Sequence, residues 1–130
     1  VMGEFAGGTY VNRERLTSRL VVVDPATGKT KTRIELPYPN SAGALTTAGG
    51  LVVTALLDGT LLAFDDQTLA ELWRINLGTG FNAPPMTYSV NGKQYIAIAS
   101  GLWSNARNKL SRSPEMRTFS NATMIFVFGL

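Results

Sequence analysis

The chain repeats itself once, at an offset of 41 residues. Residues 20–27 (LVVVDPAT) match residues 61–68 (LLAFDDQT), pairing Asp24 with Asp65 and Thr27 with Thr68. In both copies an apolar, strand-like run leads into the Asp and a second run follows the Thr. A unit of about 40 residues holding several short strands is the mark of a propeller blade, because one such sheet cannot cover its own apolar faces and must stack on the next.

The rest of the chain fits that reading. Residues 51–56, 60–64, 72–77, 86–90, 94–99 and 124–128 are short runs rich in Val, Ile, Leu and aromatics, as strands require. Asp58-Gly59 divides the first two and Asn91-Gly92 divides 86–90 from 94–99. Asn-Gly and Asp-Gly tolerate the positive φ of a two-residue hairpin turn. No segment keeps a helical period. The expected fold is all-β, with antiparallel four-stranded blades forming a partial β-propeller. At 41 residues a unit, the 130 residues make about three blades, whereas closed propellers use about four to eight. Residues 1–130 are therefore expected to be a single partial domain of a longer polypeptide, whose remaining blades would cover two open sheet faces.

Composition narrows the chemistry. With 45% hydrophobic and 16% charged residues the chain is globular. It has no Cys and no His, so it can form no disulfide, thiolate or imidazole metal site, or Ser-His-Asp triad. A net charge of +3 without aromatic-basic interleaving gives no sign of nucleic-acid binding. No stretch approaches the ~20 apolar residues of a membrane helix. Residues 1–6 (VMGEFA) have neither the basic start nor the apolar run of a signal peptide. Two polar stretches, 7–18 and 103–121, read as loops; the second is basic and carries Arg107, Lys109, Arg112 and Arg117. Asp24, Asp65 and Asp66 are too few for Ca²⁺, which takes six or more oxygens.

Residues 63–73 (AFDDQTLAELW) resemble the tryptophan-docking motif of quinoprotein dehydrogenases, Ala-x-Asp-x-x-Thr-Gly-Lys-x-x-Trp. In that family the Trp packs between neighbouring blades, as a large flat side chain with one N–H is suited to do. Leu69 stands where Gly is usual. The upstream copy keeps Gly28 but has Thr32 at the Trp position, so docking is expected to be weaker there. Further segments are similar to the family in the family's order: 47–53 (TAGGLVV), 78–88 (GTGFNAPPMTY), 91–97 (NGKQYIA) and 124–130 (MIFVFGL). The resemblance covers roughly residues 20–130 and implies the C-terminal end of an eight-bladed pyrroloquinoline quinone (PQQ) dehydrogenase related to methanol and ethanol dehydrogenases.

That resemblance implies oxidation of alcohols or aldose sugars with PQQ and Ca²⁺ or a lanthanide, in the periplasm, with a cytochrome c or a membrane quinone as electron acceptor. The family's metal ligands, catalytic Asp and vicinal cysteines lie upstream of the matched region, so no catalytic or metal residue is assigned and the chain alone is expected to be inactive. Cofactor contacts are expected at Asn40 and Ser41, where family members carry Trp-Gly-Gly or Asn-Gly-Gly, and at Phe81 and Asn82 in a Gly-flanked loop. Other readings stand beside these: Asn40, after Pro39, suits a turn, and Phe81 suits inter-blade core. An alternative function is a non-catalytic propeller scaffold that binds other proteins, like outer-membrane assembly lipoproteins. Ser41 in place of Trp leans that way; the 47–53 and 78–88 segments lean toward the dehydrogenases.

Overall fold

The computed structural model of the chain describes residues 16–101, 113, 115, 116, 118 and 122–130. The loop segments 7–15 and 102–112, including Trp103, Arg107, Lys109 and Arg112, lie outside the described residues, as does Arg117.

Among the described residues, nine antiparallel strands form three sheets. The first pairs β1 (Ser18–Val23) with β2 (Thr30–Leu36). The second has four strands in chain order, β3 (Ala44–Thr46), β4 (Leu51–Ala55), β5 (Thr60–Asp65) and β6 (Glu71–Asn76). The third pairs β7 (Met86–Val90), β8 (Lys93–Ser100) and β9 (Met124–Gly129). Only the middle sheet is a complete four-stranded blade among the described residues. The expected strands are all present, within one or two residues at their ends. Added to them is β3, whose three residues are too few to show a period.

The sequence repeat is also a structural repeat. Val22 faces Thr32 across the β1–β2 ladder as Ala63 faces Trp73 across β5–β6. The register slips at the same point in each, between Val22 and Val23 and between Ala63 and Phe64. The turns match as well. Asp65 Oδ1 accepts from the Gln67 and Thr68 N–H groups and the Thr68 hydroxyl, and Asp24 Oδ1 accepts from the Ala26 and Thr27 N–H groups. The next residue must then take positive φ, and it does: Gly28 at +68° and Leu69 at +56°.

The middle sheet is covered on both faces, which is why β4 and β5 read as continuous apolar runs instead of alternating. Val52, Leu62, Phe64 and Leu69 pack toward the first sheet with Leu20, Val22 and Ile34. Val53, Ala55, Leu61 and Ala63 pack toward the third with Ile96, Ile98 and Phe81. Each Val, Leu, Ile or Phe among them contributes roughly 1.5–3 kcal/mol on burial. Leu20 and Val22 of the first sheet face the second, and their repeat counterparts Leu61 and Ala63 face the third. Successive sheets thus present the same face to their successor, the stacking rule of a propeller. The outer face of the third sheet is left bare: Met86, Val90, Ile125 and Val127 are 57%, 49%, 75% and 51% exposed.

Candidate functional site

The predicted contact residues lie on two connections, 37–43 between β2 and β3 and 77–85 between β6 and β7. Both meet the β4–β5 turn at one end of the middle sheet. The Leu57 N–H donates to the Pro39 carbonyl at 3.0 Å, the Leu77 N–H to the Gly59 carbonyl at 2.9 Å, and the Phe81 N–H to the Leu56 carbonyl at 3.4 Å. Gly43, at φ +73°, sits where the two connections meet: a Cβ there would make an ordinary contact with Pro84 Cβ at 3.7 Å. The Asp24 and Asp65 turns are at the opposite end.

Asn40 is a turn organiser. Its Oδ1 accepts from the Ala42 N–H at 3.0 Å and its amide donates to the Thr54 hydroxyl. Thr54 is fully buried in β4 and donates in turn to the Gly43 carbonyl. Sequence reasoning passed over Thr54; the available signal was one hydroxyl inside the apolar run 51–56. A buried hydroxyl needs a partner, and here it fastens the whole 40–43 loop.

Ser41 is half-buried beside Asn40 and Gly43 on an open groove of about 480 Å³, whose other wall is Ser18–Val21 of β1. By the repeat, β1 corresponds to β5, the third strand of a blade. The groove is thus the place where two inner strands of the first blade would pair.

Phe81 is 0% exposed in the core between the second and third sheets. Its ring meets Phe126 edge-on at 6.2 Å, so any contact it makes to a ligand runs through its backbone. Asn82 differs from the other three. Its amide donates to the Gly101 carbonyl at 2.7 Å, while its Oδ1 is buried with no partner among the described residues. A buried acceptor ordinarily has a donor, so Asn82 Oδ1 is the atom of these four residues best suited to take a hydrogen bond from a bound group.

PQQ is a flat, carboxylate-bearing quinone with one pyrrole N–H. The Asn82 acceptor suits that N–H or a cation, and the close-packed Gly-flanked loops suit an approach to backbone. The fit is partial. No Lys or Arg belongs to either loop to meet carboxylates, and among the described residues no group of three or more acidic side chains converges as a metal site.

Comparison with known proteins agrees with this architecture. Residues 17–96 match the PQQ family described as glucose/ethanol/alcohol dehydrogenase, beta-propeller domain. The chain is 43% identical over 100 residues to the 1-butanol dehydrogenase (cytochrome c) of Thauera butanivorans, covering 77% of this chain and 14% of that one. It superposes on a quinohemoprotein alcohol dehydrogenase of Pseudomonas putida with TM-score 0.72 and 26% identity, over 88% of this chain and 17% of that one. A europium-containing methanol dehydrogenase gives TM-score 0.72 and 27% identity, over 86% and 23%.

Proposed function

The chain belongs to the PQQ-dependent glucose/ethanol/alcohol dehydrogenase β-propeller family, and on that premise we propose that it is a section of the propeller wall of an enzyme oxidising primary alcohols. The family match across residues 17–96, which holds the repeat and both candidate loops, carries this reading. The alcohol as substrate rests on the butanol, alcohol and methanol dehydrogenases it resembles. The chain spans 14% of the length of the butanol enzyme, so the remaining blades are its principal partners and the section by itself is inactive.

When bound, PQQ supplies the two-electron oxidant, with Ca²⁺ or a lanthanide held by residues outside this section. This chain's part is positional. Thr54 and Asn40 fix the 40–43 loop, with Ser41 as its outward hydroxyl. Phe81 anchors the second loop through its buried ring. Asn82 offers Oδ1 to the cofactor's N–H. Trp73, half-buried against the core between the second and third sheets, serves as the docking indole. The setting is the bacterial periplasm, by resemblance to the family; a cytochrome c as acceptor is supported by the butanol relative's name. Among the described residues no helix is long and apolar enough to cross a membrane.

Titration of the chain with PQQ, followed by cofactor fluorescence and by melting, tests the site. Saturable binding that raises the melting temperature and weakens about tenfold in Asn82→Leu, the cost of one buried hydrogen bond, is expected. Absence of saturable binding removes the site from this section.

A further inference from the structure

The two inter-sheet interfaces differ in filling. Trp73 packs into the one between the second and third sheets, whereas Thr32 takes its place in the one between the first and second. The interface without an indole holds a cavity of about 290 Å³. Its floor is apolar, made by Leu36, Leu62, Phe64 and Leu69, all 4% exposed or less. It opens beside β5 and β6, away from the innermost strand β3 and on the opposite face of the sheet from Phe81.

The rim is acidic. Glu35, Asp58 and Glu71 stand there against one guanidinium, Arg74. Glu71 takes that guanidinium through both Nε and Nη2, and Glu35 is held by Arg19 on β1. Among the described residues Asp58 accepts from the Thr60 N–H and hydroxyl, and the cation in its field is Arg74, the guanidinium that Glu71 already holds. Three carboxylates thus face two guanidiniums, Arg19 and Arg74, and one negative charge is left over at the mouth of an apolar hole. A concave apolar site with a few convergent polar groups is the usual form of a small-molecule site, and this one is at the small end of the range.

We infer that this inter-blade cavity binds a small organic cation, a short alkylamine, with its chain on Leu62, Phe64 and Leu69 and its ammonium group at Asp58. The inference does not depend on the PQQ reading. An anion would meet the acidic rim, and a neutral alcohol of equal length would fill the floor but leave the excess negative charge of the rim unmet.

Methyl-detected NMR of the full chain with n-butylammonium, n-butanol and n-butyrate tests it. Butylammonium is expected to shift the Ile34, Leu62 and Leu69 methyls saturably, butanol to bind about tenfold more weakly, and butyrate not at all. Asp58→Asn keeps both turn acceptors while removing the charge, and is expected to bring butylammonium down to the affinity of butanol. Glu35→Gln, on an exposed strand position, is expected to weaken it about threefold. Equal affinity for amine and alcohol overturns the inference. So does an affinity unchanged in both variants, or shifts that fall on Ile125 and Val127 instead.

Discussion

Leu69 holds φ +56° while its side chain is 3% exposed. A left-handed backbone costs a non-glycine residue roughly 1–2 kcal/mol, and burial of a leucine side chain offsets that with roughly 1.5–3 kcal/mol. Leu69→Gly relaxes the backbone but empties its share of the inter-sheet core. It should therefore lower stability by about 1–3 kcal/mol in urea unfolding, although it restores the family pattern; a stabilised variant would show that strain dominates. Asp65 is set by its turn. The Thr68 hydroxyl, then the Thr68 N–H, draw its carboxyl below the ordinary 3.8. A depressed folded-state value stabilises the fold above the unfolded value and loses that contribution as pH falls through the folded one. The stability difference between the wild type and Asp65→Ala should therefore narrow on acidification below about pH 4. A pH-independent difference, read from urea midpoints, would contradict it.

At the scale of elements, the β4–β5 turn is the joint that fastens the loop end. Gly59, at φ +91°, is so closely packed that an added Cβ would lie 2.9 Å from the Thr79 backbone nitrogen and 3.1 Å from its oxygen. Backbone cannot retreat as a side-chain tip can. Gly59→Ala should lower stability by more than about 2 kcal/mol, while Gly92→Ala, with nothing within 4 Å and φ +76°, should cost only about 1 kcal/mol. These strand–turn units were legible in sequence, because Asp-Gly, Asn-Gly and the Asp…Thr pairs act on local backbone. The 41-residue offset even held down to the register slip at Val22 and Ala63. Contacts between distant segments were harder to read. Thr54 fastening Asn40, the orphan acceptor on Asn82 and the cavity between β2 and the β5–β6 pair each depend on which loop or strand lies over which, and local propensity does not encode that.

For the whole molecule, the bare outer face of the third sheet is the governing feature. Exposed apolar area of this kind drives association. Ile125→Lys combined with Val127→Thr should shift the chain toward monomer in sedimentation velocity without lowering its melting temperature, since both side chains already face solvent; unchanged association would place the contact elsewhere. The chain matches 14% of a relative's length, and among the described residues one four-stranded blade lies between a two-stranded and a three-stranded sheet. The most direct measurement is a chimera in which this chain replaces the aligned section of the Thauera butanivorans 1-butanol dehydrogenase. The account predicts a folded enzyme that retains PQQ and oxidises 1-butanol, and that loses cofactor when Asn82 becomes Leu. A chimera that folds but neither retains PQQ nor turns over would contradict the claim that this section is a working part of the propeller wall.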